Sequence, residues 1–144
     1  MEQKHKIIID TNLWVSFLLT KRFDFLDELL SNGKIELFFC EELLLELLDV
    51  TSRPKLKKFF TAENWALIFE IIDQYGTLAQ VVSSVTLCRD VKDNFLLSLA
   101  KDVNADYLLT GDKDLLILRT FETTEIITIT EFQKIMADSS EQRS

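Results

Sequence analysis

The chain has 144 residues, of which 47% are hydrophobic and 28% charged, with three glycines and one proline, a composition that indicates one globular domain and excludes a disordered chain. Its formal net charge of −8 argues against nucleic-acid binding through bulk positive charge. Cys40 and Cys88 show no CxxC spacing and no paired histidines accompany them, which argues against a zinc site and a disulfide framework.

The first predicted element is a buried parallel strand. The run His5 to Asp10 is short, apolar and β-branched, and it leads directly into Thr11 and Asn12, where a helix is predicted to begin. The polar start, Met1 to Lys6, and the brevity of the apolar run fit neither a signal peptide nor a membrane span. We therefore expect a cytoplasmic protein with no membrane partner.

A pair of helices, a second strand and a third helix follow. From Leu13 to Leu30 apolar residues recur at helical spacing, with a break predicted near Thr20 to Phe23 and an end at Asn32-Gly33. Ile35 to Cys40 is predicted as the second strand, and Glu41 to Val50 as the helix after it.

The middle of the chain contains a basic segment and a long helix. Pro54 ends the third helix, and the basic stretch Lys55 to Lys58 follows. An amphipathic helix is predicted from Thr61 to Tyr75, with a stop at Gly76. Leu78 to Val82 is predicted as the third strand.

The last part of the chain alternates in the same way. We predict a helix over Lys92 to Lys101, strands over Tyr107 to Thr110 and Glu125 to Ile129, and a closing helix from Thr130. This alternation indicates an α/β fold with a central parallel sheet of about four to five strands, flanked by helices on both faces. We expect one domain over residues 1–137 and a frayed polar tail over residues 138–144.

Acidic residues occupy the positions where such a fold gathers functional groups, beyond the carboxyl ends of the strands. Asp10 follows the first strand, Asp112 and Asp114 follow the fourth, Asp93 lies in the first turn of the helix before that strand, and Glu46 lies on the third helix. Grouped carboxylates repel one another unless a cation lies between them, and hard cations such as Mg²⁺ and Mn²⁺ prefer oxygen ligands. The pattern therefore predicts a Mg²⁺ or Mn²⁺ site that hydrolyses phosphodiesters.

Each acid taken alone also fits a purely structural role. Asp10 would cap the helix that follows it, Asp93 would favour its helix N-terminus, and Glu46 would be a solvated helix residue. Asp112 and Asp114 would be turn residues after a glycine. Their joint placement favours the metal site, because coincidence at every position explains it poorly.

Four stretches, in the order of one family and over most of the chain, resemble the PIN domain, and specifically the VapC-like PIN toxins of toxin–antitoxin systems: IIIDTNLWVSFLL, CEELLLELLDVTSRPKL, CRDVKDNFLLSLA and ADYLLTGDKDLL. The resemblance implies a Rossmann-like PIN fold and a metal-dependent endoribonuclease that cuts single-stranded RNA. The family's acids match Asp10, Glu46, Asp93 and Asp112 of this sequence.

Supporting roles are predicted around these acids. Asn12 and Thr110 would orient ligands or water, and Asp114 would complete a second metal position. Asp90 is either a ligand neighbour or a helix cap, and the cap is the favoured interpretation.

One dense basic patch accompanies the acids and comprises Arg53, Lys55, Lys57 and Lys58, interleaved with apolar residues. We predict that it guides RNA towards the acids. The alternative is a solvated face on an amphipathic turn.

Protein partners are implied by the resemblance alone. It implies a homodimer and, for a toxin, a small antitoxin that blocks the acidic groove. Trp14, Phe17, Phe23 and Phe25 are candidates for an exposed apolar surface that a partner covers, with a core role as the alternative.

Two other functions are alternatives to the nuclease. A phosphoaspartyl enzyme or receiver domain also places an aspartate after a parallel strand, but the chain lacks the DxDxT motif and the paired acids after the first strand. A non-catalytic PIN-fold module would bind RNA or protein without cutting, and the intact acids argue against it.

Overall fold

Strands and helices alternate throughout the residues that this computed structural model describes, 4–20 and 24–141. The strands are β1 (His5–Ile9), β2 (Ile35–Phe39), β3 (Gly76–Leu78), β4 (Tyr107–Leu109), β5 (Thr120–Phe121) and β6 (Thr124–Ile127). The helices are α1 (Thr11–Thr20), α2 (Asp24–Ser31), α3 (Glu41–Thr51), α4 (Pro54–Lys57), α5 (Ala62–Tyr75), α6 (Val91–Val103), α7 (Lys113–Leu116) and α8 (Ile129–Glu141).

The strands form one sheet in the order β3-β2-β1-β4-β6-β5, in which every neighbouring pair is parallel except β5 with β6. The predicted α/β architecture is therefore confirmed, although the sheet has six strands because a short β5–β6 hairpin extends it. The chain builds outward from β1 through β2 to β3, then returns to place β4 on the other side of β1. Ligands in such sheets bind where the order reverses, at the carboxyl ends of β1 and β4.

The central strands are continuous apolar runs because both of their faces are buried in the core. Ile7, Ile8 and Ile9 of β1 are fully buried, as expected for a strand covered on both faces. Trp14 on α1 is 2% exposed and stacks on Phe39 at a centroid distance of 5.4 Å. Trp14 is thus a core residue, and its predicted role in an exposed partner surface is wrong, because α1 turns this face towards β2.

The two other aromatic residues of that predicted surface that the structure describes are not exposed either. Phe17 and Phe25 are half-buried and pack against the core, and Phe25 meets the buried Phe132 edge-on at 5.9 Å. Phe23 lies outside the described residues, together with most of the break predicted between the first two helices.

The third strand lies earlier than predicted. It spans Gly76–Leu78 rather than Leu78 to Val82. A Cβ at position 76 would lie 2.9 Å from the Phe39 ring and 3.0 Å from the Ile72 backbone, so glycine permits this close approach to β2. After the strand, the chain leaves the sheet and its backbone groups find partners on α6.

Side chains on one face of α6 hold this departing segment. Asp102 accepts hydrogen bonds from the backbone N–H of Val82 and Ser83, Ser98 accepts one from Val85, and Asn94 bonds both the N–H and the carbonyl of Cys88. These residues repeat every fourth position, and we call Asn94, Ser98 and Asp102 the α6 ladder. The predicted strand ends early: the Ala79 N–H still bonds the Phe39 carbonyl of β2, whereas the Val82 N–H bonds Asp102 on α6.

Several predicted boundaries shift by a few residues. Pro54 does not merely end a helix but begins the short helix α4, where its missing N–H costs nothing. Helix α8 continues to Glu141, into the segment predicted as a tail, and residues 142–144 lie outside the described range. None of the described helices is both long and apolar enough to cross a membrane.

Candidate metal centre and active site

Asp10 and Thr110 directly follow β1 and β4, the two strands at which the sheet order reverses. Each is buried, and Thr110 Oγ1 donates a 2.6 Å hydrogen bond to Asp10 Oδ2. The backbone N–H of Asn12 donates to the other oxygen, Asp10 Oδ1, at 3.2 Å. The Asp10 carboxylate is therefore fixed through both oxygens, and the predicted supporting residues Asn12 and Thr110 are its partners.

Thr110 also organises the turn that carries the next acids. Its Oγ1 accepts a hydrogen bond from the Asp112 N–H at 3.0 Å, and Asp112 in turn caps α7 by accepting from the Asp114 N–H at 2.9 Å. Asp112 therefore has the turn role that the structural interpretation predicted. A single threonine hydroxyl joins the acids that follow β1 and β4.

Helix α6 brings the third acid. Asp90 caps its N-terminus by accepting from the Lys92 N–H at 2.9 Å, which matches the favoured interpretation of Asp90. One turn further in, Asp93 is 5% exposed. Carboxylate oxygens of Asp93, Asp112 and Asp114 lie within 4.8 Å of one another, an arrangement suited to a metal ion.

A cavity of about 170 Å³ collects most of the predicted site residues. It is lined by Asp10, Asn12, Glu46, Asp93 and Asp112 of the predicted set, together with Val50, Arg53, Asp90, Lys92 and Leu96. Asp114 is absent from this lining and approaches Asp112 and Asp93 from outside the cavity. The acids thus form two overlapping groups that share Asp93 and Asp112.

The electrostatics of these acids are unfavourable in the absence of a cation. Burial, followed by the charge of Asp112, raises the pKa of Asp93 to about 7. Burial also raises the pKa of Asp10, although its bonds to Thr110 and Asn12 oppose this rise. For Glu46 burial raises the pKa and the charge of Lys92 opposes it.

Asp93 provides the sharpest observation at the site. Its Oδ2 atom is buried, and no residue that the structure describes offers it a hydrogen-bond partner. A buried carboxylate oxygen without a partner is costly, and the adjacent carboxylates increase that cost. These oxygen ligands fit a hard divalent cation, which would satisfy the orphaned oxygen and neutralise the cluster.

Cations surround the site, and the sequence prediction missed two of them. Lys92 Nζ lies 3.7 Å from Glu46 Oε1, and an Arg89 nitrogen lies 3.9 Å from Asp114 Oδ1. Either could have been noticed from its position beside Asp90 and Asp93 in the sequence. Their pairing with site acids, however, depends on how α3, α6 and α7 pack.

The predicted basic patch is only partly at the site. Arg53 lines the cavity and pairs with Asp49 at 3.2 Å. Lys55, Lys57 and Lys58 are exposed on or just after α4 and do not line the cavity. Any guiding role for these lysines would therefore act on RNA outside the cavity.

Comparisons with known proteins agree with this architecture. Residues 6–114 match the sequence profile of a family described as the PIN domain. Among solved structures, the chain is similar to PAE2754 from Pyrobaculum aerophilum, with a TM-score of 0.62 and 11% identity over 94% of this chain and 99% of that one. It is also similar to the PIN domain of human SMG5, with a TM-score of 0.53 and 11% identity over 91% and 98% of the two chains. No curated protein matches significantly.

Proposed function

The chain belongs to the PIN-domain family, and from this premise we propose that it is a metal-dependent endoribonuclease that hydrolyses single-stranded RNA. The fold is generally a nuclease fold, and an acidic group able to hold a metal is present. The observation that carries the proposal is the buried, unpartnered Oδ2 of Asp93 beside Asp112 and Asp114.

We assign Asp10, Glu46, Asp93 and Asp112 as the acids that hold Mg²⁺ or Mn²⁺, with Asp114 at a second position. When bound, such an ion supplies Lewis acidity and neutralises phosphate charge. Thr110 positions the acids from both strands through its single hydroxyl. Val50 and Leu96 form the apolar part of the cavity wall and restrict the water around these groups.

The shape of the cavity supports a single-stranded substrate. A cavity of about 170 Å³ admits a phosphate with its neighbouring sugar, and a flexible single strand can deliver one phosphodiester at a time. A stiff duplex would have to be deformed to bring one phosphodiester into such a cavity, and that deformation costs energy. RNA rather than DNA follows from the family resemblance.

Cleavage of a single-stranded RNA tests the proposal directly. We expect cutting with Mg²⁺ or Mn²⁺, none in EDTA, and none by the Asp10→Asn and Asp112→Asn proteins. Asp73→Asn, at an exposed position on α5, is the matched control and should cut normally. Cutting that persists in both site variants would reveal a contaminating nuclease, and RNA binding without cutting in either ion would establish the non-catalytic alternative.

We also propose that the basic patch guides RNA to the cavity. Replacing Lys55, Lys57 and Lys58 by Ala should weaken RNA binding and reduce the salt slope by about 2, at about 0.7 for each phosphate contact. Replacing the exposed Lys101 and Lys134 provides the control. An unchanged affinity and slope would remove the guiding role.

We further propose a homodimer that buries an apolar groove between α3 and α5. The groove is lined by Leu44, Leu45, Leu48, Trp65, Ile68 and Phe69 beside Glu41. Leu45, Leu48 and Phe69 are 56%, 52% and 62% exposed, which makes this patch a better candidate than the surface around Trp14. Light scattering should report a dimer that Leu45→Glu converts to a monomer, while Leu19→Glu on α1 leaves it intact.

We also propose that this protein is the toxin of a toxin–antitoxin pair. Expression in a bacterial host should arrest growth, whereas expression of the Asp10→Asn protein should not. A small antitoxin that occupies the acidic cavity would reverse the arrest. Normal growth of cells that express the active enzyme would contradict the toxin assignment and leave the nuclease assignment standing.

A further inference from the structure

Lys92 brings a positive charge into the acidic cavity. Its Nζ lies 3.7 Å from Glu46 Oε1, and both residues line the cavity with Asp10, Asp93 and Asp112. The other cation among the described lining residues is Arg53, which is paired with Asp49 outside the lining. Lys92 is therefore the lining cation that is paired with an acid of the site.

The placement of Lys92 on α6 allows its charge to move. The backbone of Lys92 is fixed, because its N–H donates to the capping carboxylate of Asp90. Successive helical residues point about 100° apart, so Asp93 is buried while the Lys92 side chain is 47% exposed. Glu46, by contrast, is 14% exposed and stays in the wall. The lysine can leave Glu46 by rotating its stem alone.

Lys92 and a divalent cation would compete for the same carboxylate. Lys92 places one positive charge beside the Glu46 carboxylate, whereas a divalent cation would place two there. The cation would also repel the ammonium group of Lys92. Lys92 would then be free at the mouth of the cavity. Its ammonium group, a flexible point charge with three donors, suits a phosphate that has been brought to the same place.

We propose that Lys92 neutralises Glu46 in the metal-free protein and contacts the substrate phosphate once a divalent cation has taken that carboxylate. This inference rests on the proposed function, because it concerns the same cavity. It assigns Lys92 two successive partners. Removing its charge should therefore affect metal binding and RNA binding in opposite directions.

The experiment measures both affinities on one set of proteins. Lys92→Met keeps the length of the side chain and removes its charge, and Lys101→Met alters an exposed lysine in the last turn of the same helix. Calorimetric titration of RNA-free protein should show that Lys92→Met binds Mn²⁺ about 2- to 5-fold more tightly, as expected for the loss of a partly exposed ion pair. In saturating Mn²⁺, its affinity for a 2′-O-methyl phosphorothioate strand should fall about 5- to 10-fold.

The remaining proteins make the outcome decisive. Lys101→Met should change neither affinity, and Lys92→Arg should retain the RNA affinity. Unchanged or weaker Mn²⁺ binding by Lys92→Met would overturn the competition at Glu46, and unchanged RNA affinity would overturn the phosphate contact. Absence of Mn²⁺ uptake by the unaltered protein would instead overturn the proposed metal site itself. Normal Mn²⁺ and strand binding without RNA cleavage would overturn only the nuclease assignment.

Discussion

Helix α6 carries two aspartates in opposite surroundings. Asp93, near its N-terminus, is buried among carboxylates, and burial followed by the charge of Asp112 raises its pKa to about 7. Asp102, near its C-terminus, accepts hydrogen bonds from the Ser83 hydroxyl and from two backbone N–H groups, which lower its pKa. The fold supports the ionised form of Asp102 and opposes the ionised form of Asp93.

This contrast separates an acid that the fold satisfies from an acid that the fold leaves without a full set of hydrogen bonds. Asp102 is one rung of the α6 ladder, and its partners belong to the chain itself. Asp93 leaves one buried oxygen without a partner among the described residues. An acid that the fold fails to satisfy is a better candidate for function than an acid in a salt bridge or a cap.

The largest difference should appear in catalysis. Asp93→Asn should reduce the rate of RNA cleavage at least about 100-fold, because loss of a ligand exceeds the usual effect of losing a supporting hydrogen bond. Asp102→Asn should stay within about 2-fold, since Asp102 lies outside the cavity lining. Initial rates in Mg²⁺ measure both, and equal losses would show that the comparison between the two aspartates is wrong.

Removing a hydrogen-bond donor should also have different effects at the two aspartate sites. The Mn²⁺ affinity should depend on the donor to Asp10 and not on the donor to Asp102. Thr110→Val removes the hydroxyl that joins Asp10 to the Asp112 turn and should weaken Mn²⁺ binding about 10- to 100-fold. Thr110→Ser should preserve it. Ser83→Ala, which removes a donor to Asp102, serves as the control, and calorimetry should find its Mn²⁺ affinity unchanged.

Replacing the two aspartates should change the free energy of unfolding in opposite directions. In EDTA at pH 7, Asp93→Asn should raise the free energy of unfolding by about 1–2 kcal/mol, because it removes a carboxylate that its neighbours repel. Asp102→Asn should lower it by about 1 kcal/mol, a modest value because this side chain is partly exposed. Urea titrations measure both, and destabilisation by Asp93→Asn would contradict the assignment of strain to the metal-free site.

The last prediction concerns pH. Because the folded pKa of Asp93 lies above its ordinary value of 3.8, the folded protein binds this proton more tightly than the unfolded chain. Ionisation of Asp93 therefore lowers the free energy of unfolding progressively as pH rises from about 4 to about 7. Asp102 has a lowered pKa, so its stabilising contribution is present above its ordinary value and is lost as pH falls through the folded value.

Melting temperatures measured in EDTA between pH 4 and pH 8 test these signs. The decline between pH 4 and pH 7 should be shallower in Asp93→Asn than in the unaltered protein. Saturating Mg²⁺ should reduce the decline in the unaltered protein alone. Identical slopes for the two proteins would mean that the environment of Asp93 does not determine its titration.

The sequence predicted which acids lie near one another where chain position alone determines geometry. Asp10 and Asp112 follow parallel strands, and any such sheet brings the residues after its neighbouring strands together. The prediction failed where packing decides. The placement of β3 depends on Gly76 against Phe39, and the burial of Trp14 depends on which face α1 turns to the sheet.

The ion pairs formed by the site acids also depend on packing. Lys92 with Glu46 and Arg89 with Asp114 join residues on different elements, so no local pattern announces them. The α6 ladder has a visible helical period, but its partner segment from Val82 to Cys88 has no regular pattern that would predict these bonds. That segment overlaps the predicted third strand at Val82, where a bond to Asp102 replaces the expected bond within the sheet.

The sheet ends on two very short edge strands, β3 with three residues and β5 with two. Each offers few unpaired backbone groups, so another chain finds little template for strand addition or ribbon-like aggregation. The short edges therefore leave side chains on the helices, rather than strand backbone, as the surface through which copies of this chain would associate. Such contacts are open to control by single charge substitutions, which a continuous intermolecular sheet would resist.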